Sequence, residues 1–268
     1  MLKMKQRFLG YLNTPFISGS NNIYGLKPYL FKNRKNYTFT NTLFNNQRLG
    51  KLVEQFVYFQ LQQDDNVEIL DTNVQIKDNK QTVGELDALL LSEGKPIHLE
   101  VIYKFYLYDT IHNYEEPLAY WIGPNRKDTL LYKLDKLKDK QFPLLYNELT
   151  QSYLQKHKLC LKTISQQLFF KAQLFMPYDL QDLDITPLNK DCIAGTYVSI
   201  HNISILKDFK FYVPKKLDWL IEPNNDVDWL DFYVAKSIIK NQIDENKSPL
   251  VWLKISTTEI KKCFITFW

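Results

Sequence analysis

Glu85, Asp87, Glu100 and Lys104 are the residues of this chain whose types and spacing could do chemistry. They fall in two apolar runs, Val83 to Leu91 and Pro96 to Tyr108, joined by a polar break at Ser92-Glu93-Gly94-Lys95. Runs rich in Leu, Ile, Val and aromatics around a short loop with Gly predict a β-hairpin. With the loop at 92–95, Leu91 faces Pro96, Leu89 faces His98, Asp87 faces Glu100 and Glu85 faces Ile102. The period of two puts His98, Glu100, Ile102 and Lys104 on one face of the second strand. Directly opposed side chains have Cβ atoms about 4.5–5.5 Å apart, where like charges destabilise. A divalent cation, with Lys104 on the same face, would compensate. Oxygen-only ligands suit Mg²⁺ or Mn²⁺, which keep waters able to attack a phosphate. The ordinary alternative is that Glu100 pairs with Lys104 and the acids lie solvated on an exposed face.

Elements on either side must hold this hairpin. Leu49, Leu52, Val53, Phe56, Val57 and Leu61 recur at helical spacing, so a helix is expected from Asn41 or Thr42 to about Gln63, with Glu54 on its rim. Val67 to Lys77 reads as a strand, and Asp78-Asn79-Lys80 as the turn into the hairpin. A further helix is expected after Gly123-Pro124-Asn125-Arg126-Lys127, to about Lys140. That turn, with its two cations at a helix start, is the best candidate for a phosphate contact, and Lys133 would extend the surface. Asn147 to about Gln166 reads as another helix. Leu168–Met176, Cys192–Ile200, Phe209–Val213, Pro249–Ile255 and Lys262–Phe267 read as strands, and Asp228–Gln242 as a helix.

Gly84-Glu85-Leu86-Asp87, a hairpin, and then Glu100-Val101 with a following Lys resemble the core of the PD-(D/E)XK nuclease superfamily. That resemblance implies an α/β fold with a restriction-endonuclease-like core: a mixed central sheet with an antiparallel hairpin, flanked by helices, plus a C-terminal α/β extension. It implies that Asp87 and Glu100 bind Mg²⁺ or Mn²⁺, with the Val101 carbonyl and Glu54 as further ligands. Glu85 joins the catalytic set, and Lys104 orients or deprotonates the attacking water. Gln141 matches a Gln after the sheet in some nuclease families, and with Arg126, Lys127 and Lys133 it is a candidate surface contact for nucleic acid. The partner implied is nucleic acid, DNA before RNA. The chain departs from the pattern because Lys104 follows Glu100 by four positions instead of two, about 6–7 Å further along the strand. The stretches Arg7–Phe16, Leu49–Phe56, the hairpin and Trp121–Asp128 are similar to a bacterial domain-of-unknown-function family numbered eighteen fifty-three.

The whole chain sets wider bounds. It has 268 residues, 45% hydrophobic and 24% charged, which is the composition of a globular protein. A basic, aromatic N-terminal segment packed on the core is expected at 1–42, the core at 43–177, and a C-terminal α/β extension of the same globule at 178–268. The three cysteines and four histidines show no zinc spacing, and free thiols point to the cytoplasm. No apolar run approaches membrane-spanning length. The net charge of +4 argues little, but its distribution is uneven. Lys3, Lys5, Arg7, Lys27, Lys32, Arg34, Lys35 and Arg48 are cations in a stretch without acids, while Asp179, Asp182, Asp184 and Asp191 begin an acidic back half. Three functions compete: a metal-dependent nuclease, a non-cleaving nucleic-acid-binding or assembly protein on the same fold, and a small-molecule enzyme or scaffold.

Overall fold

The computed structural model describes residues 2–31, 37, 39, 48–180 and 183–268. The helix start expected at Asn41 or Thr42, the boundary at 42, and Lys32, Arg34, Lys35 and Asp182 lie outside these residues. The helices are α1 (Leu2–Asn13), α2 (Leu49–Gln62), α3 (Leu130–Lys136), α4 (Gln151–Lys156) and α5 (Phe232–Ile243). The strands are β1 (Val67–Asp78), β2 (Gln81–Ser92), β3 (Lys95–Tyr108), β4 (Trp121–Ile122) and β5 (Ser165–Pro177). They continue as β6 (Ile193–Ser199), β7 (Lys210–Tyr212), β8 (Leu250–Lys254) and β9 (Ile260–Thr266). Together they make a mixed sheet in the order β1-β2-β3-β5-β6-β9-β8-β7, with β4 on β3. An α/β protein with a large mixed sheet and flanking helices is what the sequence led us to expect.

Contacts divide the chain into two compact units. One comprises Met1–Ile17, Lys104–Leu131 and Ala172–Trp268, and the other Ser18–Tyr103 and Tyr132–Lys171. Both β3 and β5 therefore contribute residues to each.

In the first unit β5, β6 and β9 are parallel and β8 is antiparallel to β9. Helix α5 buries Phe232, Ala235 and Ile239 with Val251, Leu253, Cys263 and Ile265 of the sheet. The three cysteines are free thiols. Among the described residues no helix is long and apolar enough to cross a membrane.

The second unit carries the hairpin. The register is the one its side-chain pattern predicts, with Leu91 on Pro96 and Leu89 on His98. The turn is tighter than expected. Ser92 pairs with Lys95, leaving only Glu93 (φ 51°) and Gly94 (φ 73°), and two left-handed residues are what a type I′ turn requires. Strand β1 pairs with β2 as the third member of a meander. Val74, Ile76, Leu86 and Leu89 of these strands form a core with Leu144, Leu145, Leu154 and Ile164.

Two expected helices are corrected. The one after Lys127 is regular only to Lys136, then widens into a π-turn over Leu137–Gln141 and tightens to a 3₁₀ turn over Phe142–Tyr146. Pro143 has no N–H and its ring clashes with the carbonyl four residues back, so a regular helix cannot continue there. The helix expected over Asn147–Gln166 shrinks to α4. Lys158 is left-handed (φ 54°), which ends the helical run, and Ser165 and Gln166 already belong to β5.

Candidate metal centre

The β2–β3 ladder stops at Ala88–Leu99, one pair short of Asp87 and Glu100. There the Val101 N–H donates to Asp87 Oδ2 at 2.8 Å, so a carboxylate takes over the next main-chain donor. The Tyr58 hydroxyl donates to the Asp87 carbonyl at 2.8 Å and fixes the main chain from α2. Glu100 is fully buried and Asp87 half-buried. Burial, and then the charge of Glu100, push the Asp87 carboxyl up to about 7, against the Val101 N–H. Burial pushes Glu100 up to about 8, with Lys133 and the Asp87 main chain acting against it.

A chain of hydrogen bonds sets the direction of every donor around Glu100. Lys133 Nζ donates to Gln141 Oε1 at 2.7 Å, and an ammonium can only donate. The other end of that amide, Nε2, therefore donates to Glu100 Oε2, at 2.6 Å. On the opposite side Gln166 Nε2 lies 2.7 Å from the Phe142 carbonyl, which can only accept, and 3.0 Å from His98 Nδ1. His98 Nδ1 is thus an acceptor, the ring is the Nε2–H tautomer, and Nε2 donates to Glu100 Oε1 at 3.0 Å. Burial holds this imidazole neutral, down to about 4. Both oxygens of Glu100 accept, which favours the ionised form against the burial that raises it.

Two more acids approach this pair. Lys51 Nζ, on α2, lies 2.7 Å from Glu54 Oε2, 3.0 Å from Glu85 Oε1 and 2.8 Å from Asn73 Oδ1. Burial works to lower Lys51, but its bonds to Glu54 and Glu85 outweigh this and hold the ammonium above the ordinary lysine value. Glu54 is raised by burial, resisted by Lys51, and raised further by the charges of Asp87 and Glu85. Glu54, Glu85, Asp87 and Glu100 therefore form one electrostatic group with Lys51 and Lys133 at its edges.

As a donor set, this group is all oxygen. Asp87 has one oxygen committed to Val101 and Oδ1 without a hydrogen bond among the described residues. Excess buried negative charge with a free hard oxygen is what a small divalent cation neutralises. Among the described residues, however, no group of three His, Cys, Asp or Glu is already arranged to hold an ion. Asp87 and Glu100 would supply two ligands, leaving the other positions to water or phosphate oxygens, as suits Mg²⁺.

Of the remaining residues named from sequence, Lys104, Arg126 and Lys127 belong to the first unit. Lys104 Nζ is 2.5 Å from Asp128 Oδ2. Arg126, also of that unit, is engaged bidentately by Asp109, with Nη2–Oδ2 2.6 Å and Nη1–Oδ1 3.2 Å, and stacks over Trp268 with Cζ 4.7 Å from the ring centroid. Asp109 is fully buried, and despite burial its bonds to Arg126 and Tyr114 hold the carboxyl down at about 2. The turn around Arg126 is tied down further by Ser248, whose N–H donates to Asn125 Oδ1 and whose hydroxyl donates to the Pro124 carbonyl. Lys127 is the exposed cation of that turn. Lys133 and Gln141, named as surface contacts for nucleic acid, stand in the carboxylate network.

Sequence reasoning missed His98, Lys51 and Gln166 as members of the site. His98 and Lys51 had a signal, an even strand offset from Glu100 and a helical offset of three from Glu54. Gln166 had none, because its segment reads as helix.

Fold and site together define a mixed α/β protein with a buried carboxylate pair at the open end of a hairpin. The family model of a domain of unknown function, DUF1853, matches residues 29–265, and the chain belongs to that family. No curated protein and no solved structure matches it.

Proposed function

We propose that this is a cytoplasmic, metal-dependent nuclease that hydrolyses phosphodiester bonds in nucleic acid, DNA in the first instance, on a restriction-endonuclease-like core. The observation that carries the reading is the buried Asp87–Glu100 pair, in which Glu100 is held as an acceptor by two donors of fixed direction. Asp87 and Glu100 would hold Mg²⁺ or Mn²⁺, with the Val101 carbonyl as a further ligand and Glu54 and Glu85 acting directly or through water. Such an ion lowers the pKa of bound water and offsets charge on the phosphate.

The chain's own residues prepare the rest. Gln141 and His98 donate to Glu100 and favour its anionic form, the one that a cation selects. Lys133, joined to Gln141, supplies positive charge that acts on both carboxylates, and Lys51 balances Glu54 and Glu85. Hydrolysis forms a bond from water oxygen to phosphorus and breaks one to a sugar oxygen, and the water proton passes to a nearby base. Lys133 is the first candidate to orient the water, and Lys104 the second. On the first unit, Lys127 would contact nucleic-acid phosphates, with Arg126 holding that turn.

Incubation of supercoiled and linear DNA, and of single-stranded RNA, with Mg²⁺, Mn²⁺ or chelator tests the reading. Cleavage should require the metal and disappear in Asp87→Asn, with the fold intact by circular dichroism. Metal-independent cleavage, or equal cleavage by Asp87→Asn, would overturn it.

A second reading has its own support. Lys51 already bridges Glu54 and Glu85, and Lys104 is engaged by Asp128, as in a nuclease fold that binds nucleic acid without cutting it. That reading expects salt-sensitive binding that survives both chelator and Asp87→Asn.

A further inference from the structure

The hydrogen bonds behind Glu100 carry a role for a residue that never meets the reacting atoms. His98 is fully buried, two positions before Glu100 on β3, and therefore on the same strand face. A histidine in that place could be a ligand, a base or filler. As a ligand or base it would need a free nitrogen, and neither is free. Nδ1 accepts from Gln166, and Nε2 donates to Glu100 Oε1. As filler it would need no hydrogen bond at all, yet its tautomer is fixed by an amide that is itself fixed by the Phe142 carbonyl. The Phe142 ring stands edge-on to the imidazole, centroids 5.6 Å apart, and restrains its plane.

We infer that His98, locked as the Nε2–H tautomer by Gln166, is a positioning residue that orients Glu100 toward a bound cation. This rests on the metal-site reading above and adds the residue that prepares the ligand. Partners of this kind fix ligand orientation and basicity, and their loss weakens metal binding roughly ten- to a hundred-fold. Gln141 holds the other oxygen, so Glu100 is clamped from two elements that meet at Phe142. One clamp arm is the π-turn ending at Gln141, and the other is the start of β5 at Gln166.

The test is Mn²⁺ binding to the full chain, followed by electron paramagnetic resonance of free ion, with thermal unfolding alongside. His98→Leu keeps apolar volume and removes the donor. His98→Gln places an amide N–H near the position of Nε2. Gln166→Leu leaves His98 in place and frees its tautomer, and it serves if His98→Leu does not fold. The expected result is a roughly ten-fold or greater loss of Mn²⁺ affinity in His98→Leu, a smaller loss in Gln166→Leu, and recovery to within a few-fold of wild type in His98→Gln. Wild-type affinity in folded His98→Leu or Gln166→Leu, with lowered melting temperature only, would overturn the positioning role and leave the metal site standing. Absence of binding in the wild type itself would overturn the metal-site reading and this role with it.

Discussion

Gln141 Nε2 donates to Glu100 Oε2 at 2.6 Å, while Oε1 of the same amide accepts from Lys133. A neutral side chain thus passes the direction of a lysine's charge to a buried carboxylate. If that direction is right, Gln141→Glu is worse than its near-identical shape suggests, because it sets a second carboxylate against Glu100. Gln141→Leu leaves Lys133 and Glu100 short of a partner and should cost about 1–3 kcal/mol. Urea unfolding checks both. Gln141→Glu should lose more stability at pH 8 than at pH 5, and the Leu variant should show the smaller pH dependence.

The raised carboxyls make stability depend on pH without metal. Asp87 is up at about 7 and Glu100 at about 8, so between about pH 4 and those values the folded chain binds protons that the unfolded chain has released. Stability from these groups is full below their unfolded values and is lost as pH rises through about 7 to 8. Melting curves from pH 5 to 9 should therefore fall more steeply in wild type than in Asp87→Asn. Saturating Mn²⁺ should restore the wild type at pH 8 and leave Asp87→Asn unchanged.

Arg126 and Asp109 supply a contrast. Their pairing is bidentate, and Asp109 is fully buried. Arg126→Ala strands a buried carboxylate and should destabilise by about 3 kcal/mol. Lys127→Ala, at an exposed side chain, should leave stability within about 0.5 kcal/mol and lower nucleic-acid affinity mainly at low salt. Denaturation and fluorescence anisotropy with a labelled duplex, run on both variants, separate the two effects.

Lys133 and Lys104 divide one role between two candidates. Lys133→Met should reduce cleavage at least ten-fold, because it removes a cation whose charge acts on both carboxylates and the anchor of Gln141. Lys104→Met should act through its pair with Asp128, changing stability more than turnover. Single-turnover rates at saturating metal decide, and the opposite ranking would return the role to Lys104.

The hairpin register was legible because two apolar runs with acids at even offsets admit only one pairing that buries their leucines. Its turn was less so, since Ser92 and Lys95 read as loop while Glu93 and Gly94 alone take the left-handed angles. Strand spacing brought out Asp87, Glu100 and Glu85, whereas Glu54 joined them only through the resemblance to a nuclease core. The partners that define the chemistry did not emerge as such. Lys133 and Gln141 read as surface because a π-turn, invisible to a 3.6-residue period, turns Gln141 toward β3. Gln166 was hidden because Asn147–Gln166 has helical periodicity until Lys158 turns left-handed. Arg126 looked exposed because nothing local in the sequence announces Asp109 or Trp268 as its partners.

The central claim is that Asp87 and Glu100 form one cation site, and calorimetric titration of Mn²⁺ at pH 8.5 tests it most directly. There the ionised forms of both carboxyls predominate, so proton release contributes less to the heat. Wild type should bind one ion with a saturable isotherm, and Asp87→Asn and Glu100→Gln should each abolish it while remaining folded. A flat wild-type trace, or binding that survives either substitution, would contradict the claim.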